Sequence, residues 1–247
     1  MTIPRFNISA AYDLAESAMA IIIGEEEEIY LEDYVGVDSD DFWLRAQSPQ
    51  RNTILHTFLE GWEHSRWEQC MKIIPPSEDF GLFEKFIENC DLEKPAWFTI
   101  ENIDDHTDDL ENILSLAIPK AANAAFQLLF QDRRFLLKFH TLVARKISEV
   151  SPESLPKVAA LPVSRCSYIP AWLKKGIYHR DRGLCQNCGR DVSGQLNLEG
   201  EIHLDHLLPL HAGGTNDSSN FQVLCKECNL TKGGSAVTVS NINHAFW

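Results

Sequence analysis

The chain predicts an α+β protein in two parts, a mainly helical N-terminal domain followed by a small, cysteine-bearing unit of two short strands and a helix. Three observations lead there. Apolar residues recur at helical spacing through the first 150 residues, where strand signals are scarce. Ser148–Arg165 holds three prolines and little periodicity, the composition of a linker. Beyond it cysteine, glycine and asparagine become frequent, and four cysteines fall into two C-x-x-C pairs.

Taken in order, Ser9–Gly24 reads as a helix that Ser9 can cap and Gly24 can end. The acidic run of "GEEEEIYLEDY" suits an exposed helical face or loop. Ile54, Leu55, Phe58, Leu59 and Trp62 share one helical face, and that helix stops at Pro75-Pro76. "SEDFGLFEKFIENC" opens with Ser77 and forms another short helix. "TIENIDDHTDDLENILSLAI" is acidic at its start, as a helix N-terminus favours, and Pro119 is expected to end it. Lys120 to about Ile147 carries the longest apolar helical pattern. The expected division is a domain at residues 1–150, a linker at 151–168 and a second domain at 169–247. Pro170 can start that domain's first helix, "PAWLKKGIYHRD".

Composition narrows the classes. Hydrophobic residues make up 44% and charged ones 23%, an ordinary globular balance that argues against a disordered chain. The net charge of −14 is concentrated, with 29 acidic and 14 basic side chains in residues 1–160 against 7 and 8 in the remainder. The acidic part is a solvated surface, or a face that repels nucleic acid or docks a basic partner. Seven cysteines, an odd number, argue against a secreted disulfide framework. No run approaches the ~20 apolar residues that a bilayer span needs, and the N-terminus lacks a cationic leader. The expectation is a cytoplasmic protein with no membrane association.

Cys185/Cys188 and Cys225/Cys228 are the chemically decisive pairs. Each C-x-x-C lets one turn aim two thiolates at an ion, and two turns complete a tetrahedral four-cysteine zinc site. With a hydrophobic core limited by so short a segment, a structural Zn²⁺ supplies much of its folding energy. Between the pairs, "EIHLDHLLPL" alternates like a strand and sets Asp205 beside His206, so the two point to opposite faces unless a twist or bulge intervenes. "HAGGTNDSSN" is a glycine-rich turn ending at Asn220. "FQVLC" returns as a strand, and "CNLTKGG" starts a helix carrying Asn229 and Lys232 three apart. His56, Glu60 and His64 also recur at helical spacing, but nothing around them supports a metal site and they read as surface residues. His203 and His211 read as ordinary core or surface histidines, and Trp172 and Tyr178 as packing residues.

The order "C-x-x-CG … LDHLLPLHAGG … N-FQVLC-x-x-CN-x-x-KG" resembles the HNH endonuclease family with its ββα-metal fold, over residues 170–235. The N-terminal domain resembles no family. The resemblance implies His206 as general base, Asn220 as the residue that holds the loop and orients that base, and Asp205 as ligand of a single catalytic divalent ion. Asn229 stands where the family commonly has histidine. An amide oxygen is a harder ligand than imidazole, which favours Mg²⁺ or Mn²⁺. Arg180 and Lys232 are candidate phosphate contacts. The implied function is hydrolysis of DNA phosphodiester bonds, by nicking or cutting. The alternative is a non-catalytic four-cysteine zinc module that binds nucleic acid or a protein. Small helical-plus-HNH proteins are similar in architecture to effector subunits of bacterial anti-phage systems. By that analogy a protein partner, such as an ATPase subunit, docks on the acidic N-terminal domain.

Overall fold

Residues 9–24, 32–73, 76–95, 107–159, 161–193 and 203–233 are described by the computed structural model. The acidic run Glu25–Glu28 lies outside them. The helices are α1 (Ser9–Ile23), α2 (Glu32–Val35), α3 (Asp40–Gln47), α4 (Ile54–Ile73), α5 (Pro76–Asn89), α6 (Thr107–Leu129), α7 (Arg133–Glu149), α8 (Ala171–Arg180) and α9 (Lys226–Lys232); the strands are β1 (His203–His206) and β2 (Phe221–Leu224). The α+β class is as expected, with one two-stranded sheet among the described residues.

The chain forms two compact units, and neither is contiguous. Unit 1 comprises residues 1–29 and 56–129; unit 2 comprises residues 30–55 and 130–247. The expected partition at residues 1–150 and 169–247 is therefore replaced by one in which α3 and α7 belong with the C-terminal residues.

In unit 1, α1 packs along α6 and α5 lies against both. Close approach is possible because α1 buries Ala10, Ala11, Ala15 and Ala18 beside Leu14 and Ile22, while α6 buries Ala117, Ala121, Ala122 and Ala125. Pro119 does not end a helix as expected; α6 runs through it for ten more residues. Proline removes one hydrogen-bond donor there, but Leu114, Ile118, Phe126 and Leu129 are all buried on the same helix and hold it to the core on both sides of Pro119. The apolar pattern after Lys120 splits instead at residues 130–132, where Asp132 caps α7 by accepting from the N–H groups of Arg134 and Phe135. His56 is not a surface residue: it is buried and stacked on Phe126, ring centroids 4.0 Å apart. Exposed His64 lies beside Glu68 and Glu111.

In unit 2, β1 and β2 pair antiparallel with His203 opposite Leu224, Leu204 opposite Val223, Asp205 opposite Gln222 and His206 opposite Phe221. The α8 helix packs on β2 and α9 on β1. Leu173 and Ile177 of α8 join Leu204, Phe221, Val223, Leu224, Val192, Cys185 and Cys225 in one core, with Phe130 and Trp172 at its margin. Residues from before the first C-x-x-C also fix the connection between the strands. The Asp217 carboxylate accepts from Ile54 N–H at 2.7 Å, Ser218 donates to the Gln50 carbonyl at 2.7 Å, and Asn216 N–H donates to the Ala46 carbonyl at 2.7 Å. From α7, buried His140 places Nε2 3.0 Å from Ser219 Oγ, which donates to Asp217.

Candidate active site

The four cysteine Sγ atoms lie within 4.8 Å of one another. One tight turn at 185–188 and the start of α9 at 225–228 present them. A tetrahedral Zn–S site with bonds of ~2.3 Å has sulfur–sulfur edges of ~3.8 Å, and Cys188 and Cys225 stand 3.9 Å apart. Burial pushes the Cys188 and Cys225 thiols up. Burial also acts on Cys185, but the N–H groups of Cys225, Cys188 and Asn187 outweigh it and bring that thiol down to about 7. A cation therefore suits this donor set, since it alone lets four adjacent thiols deprotonate together. Among the described residues this is the one cluster of three or more His, Cys, Asp or Glu ligands.

The strand β1 carries the dyad in a regular register with no bulge. Side chains alternate, so His203 and Asp205 share the half-exposed face while Leu204 and His206 point inward. His206 is 6% exposed and its ring lies 4.5 Å from that of Phe221. Burial is the main reason its pKa falls to about 4; the charges of Arg165 and Lys232 lower it further, against the opposing effects of Asn216 and Asp205. The ring is neutral at pH 7.

Asn216 determines which nitrogen carries the proton. Its amide donates to the carbonyls of Gln47 (3.0 Å) and Ser164 (2.7 Å), and its Oδ1 accepts from Cys166 N–H (3.3 Å). Those partners fix the amide orientation, so His206 Nε2, 3.1 Å from the same Oδ1, must be the donor. The lone pair is left on Nδ1. Asn216 was missed in the sequence. The only signal was a cluster of small polar residues after two glycines, which reads equally well as an exposed turn.

Asn220 is fully buried and closes the loop: its Oδ1 accepts from Leu208 N–H at 2.9 Å, and its amide donates to the carbonyls of Leu208 (3.0 Å) and Thr215 (2.9 Å). The glycines make this closure possible. Gly213 has φ +86°, and a Cβ on Gly214 would sit 2.1 Å from the Leu208 carbonyl oxygen.

On α9, Lys232 reaches back to β1 and donates to Asp205 Oδ2 and to the His206 carbonyl, both at 2.5 Å. Asn229 lies one turn earlier on the same helix. The structure thus brings Asp205, Lys232 and the α9 face together. An oxygen-only pair such as Asp205 and Asn229 fits a hard ion that keeps several waters, Mg²⁺ or Mn²⁺, better than a softer one.

Arg180 does not take the role expected of it. Its guanidinium is buried, forks onto Asp181 at 2.8 and 3.1 Å, donates to the Phe221 carbonyl at 2.6 Å and lies 4.7 Å over the Phe130 ring. Asp181 in turn accepts from Val223 N–H at 2.7 Å. The pair therefore closes the edge of β2 that β1 leaves open, and no phosphate can reach it.

Residues 185–235 match the family model described as HNH endonuclease. The C-terminal segment is an HNH endonuclease domain. All four cysteines, Asp205, His206, Asn220 and Asn229 fall within the match, whereas α8 lies before it. Among curated proteins, the chain is 34% identical over 87 residues to the type IV methyl-directed restriction enzyme EcoKMcrA of Escherichia coli (strain K12). That alignment covers 34% of this chain and 27% of the relative, so the chain spans about a quarter of the relative's length. No solved structure matches the chain. No single described helix is long and apolar enough to cross a membrane.

Proposed function

We propose that the protein is a metal-dependent endonuclease that hydrolyses DNA phosphodiester bonds. The observation that carries the reading is the HNH match together with a His206 whose proton is held on Nε2 by Asn216. A neutral imidazole with its lone pair fixed on one nitrogen is what a general base requires. His206 Nδ1 takes the proton of the attacking water. Asn220 keeps Leu208 and Thr215 in place and so holds the chain leaving His206. Asp205 and Asn229 would hold a Mg²⁺ or Mn²⁺ ion, which when bound stabilises the charge that develops on the phosphate and the leaving oxygen. Lys232, now paired with Asp205, is long enough to turn its ammonium toward that phosphate instead. The four cysteines would hold a structural Zn²⁺ that fixes α9 against β1. One such centre cuts one strand at a time, so a double-strand break takes two chains or two successive nicks.

The relative's role in restriction supports a similar setting for this chain, cleavage of foreign DNA in anti-phage defence. The acidity of residues 1–160 supports a regulated enzyme, restrained or docked through that region to a protein partner. Supercoiled plasmid incubated with zinc-loaded protein and Mg²⁺, beside His206→Ala, tests the core of the reading. Nicking by the wild type and not by the variant is expected; equal nicking by both, or none by either under any divalent ion or with any partner, overturns it. Restraint by the acidic region is tested separately by changing Glu25–Glu28 to glutamine, which should raise DNA affinity. Unchanged affinity removes that part of the proposal.

A further inference from the structure

A cleft of about 530 Å³ opens beside the dyad, lined by Arg165, Lys174, Lys175, Tyr178 and His203 with an apolar floor of Ile169 and Leu204. We propose that this cleft seats the DNA backbone next to the scissile bond, binding the flanking phosphates through Arg165, Lys174 and Lys175. The inference rests on the nuclease reading above and adds to it the path of the substrate strand.

Charge is the first argument. Three cations and no described carboxylate line the cleft, and among the described residues none of the three cations pairs with an acid. The neighbouring cations are consumed: Lys232 by Asp205, Arg180 by Asp181, Arg190 by Glu227. In a chain of net charge −14, a concavity with three cations and no carboxylate among its described lining residues is a local exception. It focuses field onto an anion.

Position is the second. His203 lines the cleft and shares the half-exposed face of β1 with Asp205, two residues or about 7 Å along the strand. Arg165 sits between Ser164 and Cys166, which both bond to Asn216, the residue that also holds His206. The cleft thus runs from His203 and Leu204, which precede the dyad on β1, toward α8, whose exposed Lys174 and Lys175 stand on consecutive positions. The face of Tyr178 and the apolar floor suit a sugar or base edge beside those phosphates.

Binding of a fluorescent 20-base-pair duplex, followed by anisotropy from 50 to 200 mM salt, tests the proposal. The full-length, zinc-loaded His206→Ala protein is used without added divalent ion, so that no cleavage intervenes. Each phosphate contact contributes about 0.9 to the slope of log K against log salt. Arg165→Gln/Lys174→Gln/Lys175→Gln should therefore flatten the slope by about 2 to 3. The charge-matched control Lys85→Gln/Arg134→Gln/Lys138→Gln should leave it nearly unchanged. All six side chains are exposed, and zinc content and circular dichroism verify that each variant is folded. In the active background the cleft variant should raise KM at least tenfold while kcat changes little. An unaltered slope with plasmid nicking intact refutes the cleft and spares the nuclease reading. A loss of slope as large in the control refutes it as well, because the attraction is then diffuse. Failure of the wild type both to bind and to nick removes both.

Discussion

Asn216→Ala is the substitution that separates the architecture of the site from its chemistry. Asn216 is fully buried, and its side chain serves four partners: His206 Nε2, Cys166 N–H and the carbonyls of Gln47 and Ser164. Truncation strands all four. Each buried polar group left unpaired costs about 1–3 kcal/mol, reduced where water enters the vacated space. The Cys166 contact, at 3.3 Å, is the weakest. A destabilisation of about 3–5 kcal/mol follows, read as a lower urea midpoint at unchanged m-value. The chemical effect is distinct. Without an acceptor at Nε2 the His206 proton is shared between both ring nitrogens and the ring loses its orientation, which should lower kcat for plasmid nicking about 10–100-fold, by analogy with loss of the outer hydrogen-bond partner of a metal-ligating histidine. Asn216→Asp provides the contrast. It keeps an oxygen for His206 and Cys166 but sets a carboxylate against the carbonyls of Gln47 and Ser164, so it should be at least as destabilised while retaining more of its activity than the alanine variant. Nitrogen NMR of labelled histidine reads the tautomer directly. If folded Asn216→Ala nicks at the wild-type kcat, or if His206 is protonated on Nδ1 in the wild type, the reasoning fails.

Purified protein should contain one zinc per chain by elemental analysis, and Cys185→Ala or Cys225→Ala should lose it. Zinc binding at such sites is worth about 10–16 kcal/mol, so loss of the metal should unfold the ββα segment as seen by circular dichroism. His140 has its pKa lowered to about 3 by burial, with the Ser219 contact opposing; its proton enters the unfolded chain first, so its contribution to stability is intact above pH 6.5 and drains by about 1.4 kcal/mol per pH unit down to pH 3. His140→Gln should flatten the acid limb of stability against pH by one proton, and an unchanged limb contradicts that burial. Arg180→Ala should cost about 3–5 kcal/mol because it leaves Asp181 buried and unpaired. DNA affinity of the folded fraction, measured by salt titration, should not change.

What was legible in the sequence follows from how local each signal is. The two C-x-x-C pairs and the strand that carries Asp205 and His206 are short-range patterns, and the structure brings the four cysteines into one cluster beside a two-stranded antiparallel sheet. Arg180 was misread because its fate depends on β2, 41 residues later, whose open edge it closes. Pro119 was misread because local propensity argues for a break, whereas the burial of α6 overrides it. Asn216 was invisible because its partners are two carbonyls, an N–H and a ring nitrogen contributed by three separate stretches of chain.

The same non-locality decides where this chain can be cut. A proline-rich linker at residues 151–168 suggests that the HNH domain is detachable there. In the structure the loop that carries Asn216 to Asn220 is held by the Ala46 carbonyl, the Gln47 carbonyl, the Gln50 carbonyl, Ile54 N–H and His140, all of which lie before residue 150. A fragment beginning at residue 151 strands these partners in the loop that positions His206. Five lost hydrogen bonds, at about 1 kcal/mol each, are comparable with the whole stability of a small domain, about 5–15 kcal/mol. The fragment should retain zinc yet show weak amide protection across residues 207–220 and little nicking. If it nicks as fast as the full chain and protects that loop equally, then α3 and α7 are ornaments to the nuclease, and the positioning role assigned to Asn216 falls with them.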